Sequence, residues 1–329
     1  MRYALGVDGG GSKCDAVLID DTGAVVGWGR GGPAHTWYDP PDVVEASYAD
    51  AVGQALAGVE GARIWLAGGV RYDRVRQAIR AAGKLEAIVP AGEVEAAFAC
   101  AQEEWGMVLL SGTGSFAHLS APDGRHLHFG GMGPILGDYG SAYDIGLRGL
   151  RAAFASRWTR SRRTSLAEAV PAALGVGSLK EVFDLVYAAK SLSRRKTAAL
   201  AKVVNREAEV GDAVAIRCLQ RAADDLAELA EDLIHELAME EEAFPVIASG
   251  SVAQQSRAWW EHICRRIAAV APRSRPVIPR VRPVVGAAMI ALRAMGVQWT
   301  PALMDRIVET QCPLLEAAEG GDVSTQPAV

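Results

Sequence analysis

One pattern occurs twice in this chain and constrains its fold more than any other feature. Residues 3–8, 14–20 and 24–29 read as three strands; three consecutive glycines, Gly9 to Gly11, follow the first, and the turn "DDTG" joins the last two. Met107 to Gly131 repeats the order with an apolar strand, the loop Gly112 to Ser115, a second strand, the turn "APDG" and a third strand. A duplicated unit of this kind predicts two related α/β lobes facing one another.

The loops themselves point to chemistry. Glycine lets backbone N–H groups converge on an anion because no Cβ blocks the approach, and successive amides in such a turn form a concave anion site. Asp8, at the tip of the first strand, is placed to reach a phosphate-bound Mg²⁺ through water. Two better-known phosphate loops are excluded by spacing: Ser12 follows Gly11 where a P-loop needs Lys, and a G-x-G-x-x-G read from Gly9 fails at Cys14. A single glycine turn would read as a tight hairpin; two in the same context favour phosphate.

Composition narrows the class. The 329 residues are half apolar with a net charge of −5, which suits a globular chain of two lobes and argues against a nucleic-acid surface. The most basic stretch, "RWTRSRRTS" (157–165), reads as a solvated loop between helices. Five scattered cysteines with no CxxC pair suggest neither zinc nor a disulfide framework. The first residues do not read as a signal peptide, and the apolar run Val284 to Leu292 is too short for a membrane span. The expected compartment is cytoplasmic. Most of the remainder reads as helix: 211–237 carries leucines at three- and four-residue spacing, and 179–190 and 195–209 are two more. Phe244 to Ser256 reads as a buried strand opening a helix, and the chain after Leu315 as a polar, disordered tail.

"GVDGGGSKCDAVLID", "VLLSGTGSF", "GGMGPILGDYGSAYDIG" and "VIASGSVA" together resemble successive motifs of the N-acetylglucosamine kinase / BadF-type ATPase family, within the actin-like, sugar-kinase and Hsp70 superfamily. The resemblance runs from about residue 3 to 292 and implies two ribonuclease-H-like lobes with ATP in the cleft between them. The expected boundaries are 1–110, 111–292 and a C-terminal segment, 293–329, returning to the first lobe. It further implies Asp8 with Gly9, Gly10, Gly11, Ser12 and Lys13 as the first phosphate motif, and Gly112, Thr113, Gly114 and Ser115 as the second. Gly250, Ser251 and Val252 resemble the adenosine motif. Gly130 to Gly133 and Gly137 to Ser141 resemble the sugar loop, with Asp138 as hydroxyl acceptor.

The chain departs from that family around the acceptor. Glu93, in "PAGEVEAAFA", stands where the family has its aspartate base. A general base contributes about 10²–10⁴-fold and a misplacement of about 1 Å costs about 10²-fold, so the extra methylene matters. Glu93 also reads as a helix N-terminal charge, and Glu95 is a fallback base pointing about 200° away on a helix. His35 replaces an asparagine while Trp37 remains; Met132 replaces a tryptophan beside Gly131, Tyr139 a glutamate, and Phe116 a residue often polar.

These residues imply an ATP- and Mg²⁺-dependent kinase for an amino sugar or related hexose. An alternative is an ATP- or sugar-binding sensor that has lost catalysis. The activator branch of the family, with its iron–sulfur cluster and GGQD signature, fits less well, because neither the signature nor a cysteine beside the second loop is present. Dimerisation is a family habit, but no interface is legible here.

Overall fold

A computed structural model describes residues 1–68 and 72–320, the last nine of these by backbone alone. It divides into two units, Met1–Glu104 with the chain from Pro279 onward, and Trp105–Ile278.

The first unit opens with β1 (Arg2–Gly9), β2 (Cys14–Asp20) and β3 (Val25–Gly31), paired antiparallel. α1 (Pro41–Ala55) leads to β4 (Ala62–Ala67), α2 (Asp73–Ala82) to β5 (Gly83–Val89), and α3 (Glu93–Ala101) follows. β4 runs parallel to β1 and β5 to β4, giving the order β3-β2-β1-β4-β5. The glycines of "GWGRG" explain how α1 lies on this sheet. Gly27, Gly29 and Gly31 alternate along β3, and the carbonyls of Ala55, Ala51 and Ser47 occupy the space their side chains would take. Two residues of strand and four of helix both span roughly 6–7 Å, so each glycine meets one helix turn.

The second unit repeats the arrangement. β6 (Gly106–Ser111), β7 (Ser115–Ser120) and β8 (His126–Gly130) are antiparallel. Six helices intervene: α4 (Gly133–Leu136), α5 (Ala142–Ala155), α6 (Leu166–Ala173), α7 (Leu179–Tyr187), α8 (Arg194–Glu209) and α9 (Ala213–Leu237). Then come β9 (Pro245–Ser249), α10 (Gly250–Gln255), α11 (Arg257–Val270) and β10 (Arg275–Val277). β9 pairs parallel with β6 and β10 with β9, so the order β10-β9-β6-β7-β8 mirrors the first sheet. The expected pair of ribonuclease-H-like lobes is therefore present, one with its helices inserted after β8. α9 buries Leu219, Ala222, Leu226, Leu233 and Leu237 against the second core, as its periodicity predicts. Its start is fixed by Asp212, whose Oδ1 accepts the Val214 and Ala215 N–H groups. The basic stretch 157–165 lies exposed between α5 and α6 apart from a half-buried Thr164.

The chain then returns to the first unit with α12 (Pro283–Ala294) and α13 (Pro301–Gly320). At Gly6 of β1 the Val284 carbonyl and Ala288 amide of α12 fill the place of a side chain, and at Gly286 the Ala96 carbonyl of α3 does the same. α12 thus belongs with the first sheet, and the unit boundary falls at Ile278/Pro279, ahead of residue 292. The first boundary falls at Glu104/Trp105, because the next strand begins at Gly106. α13 packs along β3, where the Thr310 hydroxyl accepts the Val25 N–H. The helix continues past Leu315 to Gly320, where a tail was expected; the rest of that segment lies outside the described residues.

Candidate active site

In the first unit the glycine loop joins β1 to β2, bringing Asp8 opposite Asp15 and Gly9 opposite Cys14. Gly10 N–H donates to the Lys13 carbonyl and the Gly10 carbonyl accepts Ala34 N–H. The Gly11 amide has no hydrogen-bond partner among the described residues. Lys13 does not point outward alone: its Nζ lies 2.6 Å from Asp15, which also accepts Arg30 Nε at 2.7 Å. Asp15 is thereby neutralised inside the sheet. Asp8 is not. Its half-buried carboxylate makes no hydrogen bond or salt bridge among the described residues. Burial first, and the Asp15 charge second, push its pKa up to about 6 against the pull of Lys13. Burial and a like charge both disfavour the ionised form.

Tyr48, on α1, closes the loop from beneath. Its hydroxyl fills the space a side chain on Gly9 would need, and its ring stacks on Tyr72 with centroids 5.3 Å apart. Burial pushes the phenol pKa up, and Cys14, Tyr72, Asp8 and Glu93 add to the shift. Both candidate carboxylates, Asp8 and Glu93, therefore act on one phenol. Glu93 is the exposed first residue of α3. Glu95 is committed to the helix start, its Oε2 accepting Gly92 N–H at 2.9 Å, which leaves Glu93 as the base candidate of this segment. His35 and Trp37 share a turn closed by Asp39, whose Oδ2 accepts His35 N–H at 2.8 Å. Trp37 N–H reaches His35 Nδ1 at 3.3 Å, and the Trp37 ring is exposed.

In the second unit three segments meet at the loop after β6. Gly112 N–H donates to the Gly114 carbonyl, and the Gly112 carbonyl accepts Ala142 N–H at the start of α5. The Ser111 hydroxyl donates to Gly140 and the Ser115 hydroxyl to Tyr139, both at backbone carbonyls. Gly250, with φ 83°, lies flush on Ser111 and Gly112 and opens α10, where Ser251 is exposed and Val252 buried. Space around the Cβ position of Gly112 is open, and the Gly114 amide has no partner among the described residues. The structure thus brings the expected second phosphate and adenosine motifs, Gly112 to Ser115 and Gly250 to Val252, together.

Asp138, expected as a hydroxyl acceptor, is held inside the second unit. It is 3% exposed, and both carboxylate oxygens are engaged within the unit: Oδ1 accepts Ser115 N–H at 3.3 Å and Oδ2 pairs with Arg194 at 2.9 Å. Gly131 closes β8 through its N–H to the Ser115 carbonyl, while Met132 and Tyr139 are exposed on either side of α4. Residue type alone did not single out Tyr48, Asp15 or Arg194. Asp15 carried one signal, a lone acid inside the apolar run "CDAVLID".

Among the described residues no group of three or more His, Cys, Asp or Glu side chains could hold a metal. The donor set instead fits a cation arriving with phosphates and held by one carboxylate, as Mg²⁺ commonly is. Taken singly, each glycine loop keeps one amide, that of Gly11 or of Gly114, without a partner among the described residues, a feature of anion-binding turns. No helix among the described residues is long and apolar enough to cross a membrane.

The chain is 28% identical over 263 residues to an N-acetylmuramic acid/N-acetylglucosamine kinase of Clostridium acetobutylicum, covering 77% of this chain and 86% of that one. A solved protein of Chromobacterium violaceum, assigned as an N-acetylglucosamine kinase, superposes with a TM-score of 0.61 at 22% identity over 88% of this chain and 99% of that one. A ROK family glucokinase of Streptomyces griseus, solved with glucose and AMPPNP, gives 0.53 at 17% identity over 88% and 98%. Both share the fold. A sequence model of the BadF/BadG/BcrA/BcrD ATPase family matches residues 5–291, and the chain belongs to that family.

Proposed function

We propose that this protein is an ATP-dependent kinase acting on a hydroxyl of an amino sugar of the N-acetylglucosamine or N-acetylmuramic acid type. The reading rests on the curated relative of that activity and, in the structure, on one observation. Asp8 stands near the end of a strand beside a glycine loop, and its carboxylate makes no hydrogen bond or salt bridge among the described residues.

Bound with Mg²⁺, ATP would supply the phosphoryl group. Asp8 would hold the ion through water, and the amides of Gly11 and Gly114 would donate to phosphate oxygens, stabilising charge that builds up as the phosphoryl group transfers. Gly250 and Ser251 would offer the nucleoside a surface without bulk. Glu93, carrying an exposed carboxylate at a helix start, would accept the hydroxyl proton at its Oε atoms.

The test is ADP release from Mg-ATP with N-acetylglucosamine, N-acetylmuramic acid, glucosamine, glucose and no sugar. Stimulation by an amino sugar supports the reading. Tight ATP binding with no stimulation by any of them overturns it in favour of a sensor.

A further inference from the structure

Asp138 and Arg194 belong to segments 56 residues apart, yet they close one chain of contacts onto the second glycine loop. Asp138 sits at φ 55°, an uncommon conformation for a residue with a side chain. Its side chain is 4% exposed, and the carboxylate bridges Arg194 Nη2 at 2.9 Å and Ser115 N–H at 3.3 Å. A Cβ on Gly114 would lie 2.9 Å from Asp138 Oδ1, so the loop backbone rests directly on this carboxylate. A buried carboxylate without its counter-charge is costly, and Arg194 supplies that charge.

The place of Arg194 in its own helix is the second observation. α8 starts with Arg194, Arg195 and Lys196 after the Ser193 cap and has no acid in its first turn. Cations there oppose the helix dipole. A local conflict of this kind is expected where a residue serves something outside its helix.

We propose that Arg194 is a positioning residue for the second phosphate loop, acting through Asp138 on Ser115 and Gly114. Loss of the guanidinium leaves the Asp138 carboxylate without its counter-charge and free to turn outward, and the Ser115 amide then loses its acceptor. The nucleotide side of the site then suffers while the acceptor side does not. This last consequence rests on the kinase reading; the fastening of the loop does not.

Two measurements separate them. Hydrogen exchange of the 111–116 amides in ligand-free protein, comparing wild type with Arg194→Ala and Arg194→Lys, reads the loop directly. Calorimetric titration with Mg-ADP, alongside the KM for the sugar, reads its use. Exchange at Ser115 is expected to rise about tenfold in Arg194→Ala, the size of one charge-assisted hydrogen bond. ADP affinity should fall by a similar factor, sugar KM should hold, and Arg194→Lys should recover part of both. Unchanged exchange overturns the proposal, as does a loss confined to the sugar. Faster exchange in a protein whose wild type binds no nucleotide upholds the fastening and defeats the kinase reading. If Arg194→Ala does not fold, Arg194→Gln serves with the same criteria.

Discussion

Gly250 stands over Ser111 with no room for a side chain: a Cβ there would lie 2.5 Å from the Ser111 carbonyl oxygen and 2.9 Å from the Gly112 amide nitrogen. Its φ of 83° also favours glycine. Gly250→Ala is expected to destabilise the protein by about 1–3 kcal/mol in urea unfolding and to weaken nucleotide binding. An unchanged midpoint would contradict the close packing of α10 on the loop.

Two other glycines make an opposed pair. Gly29 on β3 is filled by the Ala51 carbonyl of α1, whereas Gly53 in the last turn of that helix faces open space. Gly29→Ala should cost about 1–3 kcal/mol through overpacking. Gly53→Ala should add roughly 0.4–1 kcal/mol, since Gly53 is exposed, has no positive φ and leaves room for a methyl group. Thermal unfolding of both variants checks the sign of each.

Asp212 controls part of the acid stability. Burial would raise its carboxyl, but hydrogen bonds from the Ala215 and Ser165 amides and the Thr164 and Ser165 hydroxyls outweigh it and hold it below its ordinary range. A depressed folded value contributes stability in full above the unfolded carboxylate range, near pH 4, and loses it as pH falls through the folded value. Asp212→Asn, which keeps a capping oxygen, should flatten the loss of stability below about pH 4. Asp212→Ala should cost about 1–2 kcal/mol at neutral pH. Denaturant titrations across the acid range would show both effects.

Asp8→Asn removes charge at constant size. Turnover should fall at least about 10²-fold, while the unfolding midpoint of the ligand-free protein at neutral pH should hold or rise, because no hydrogen bond among the described residues depends on this carboxylate and its raised pKa means that its charge opposes folding. Full turnover in the variant would remove Asp8 from the site.

What was legible beforehand follows from what is local. The strands of both repeats and α9 follow from runs and periodicity within one segment, and the two loops from consecutive small residues. Partners distant in sequence leave no local signal. Asp138 carries a motif that points to a ligand, yet Arg194, on the inserted α8, occupies it. α12 looks continuous with the second lobe's helices, but Gly6 and Gly286 admit it to the first sheet. Tyr48 sits in an unremarkable helix and gains its place only because α1 lies against the sheet under Gly9.

The central claim is that Glu93 serves as base in phosphoryl transfer to an amino sugar. Mass spectrometry of the sugar after incubation with Mg-ATP tests it directly in wild type, Glu93→Ala and Glu93→Asp. The account predicts a phosphorylated amino sugar from the wild type, a loss of about 10²–10⁴-fold in Glu93→Ala, and activity retained in part by Glu93→Asp. Undiminished product from Glu93→Ala would contradict it.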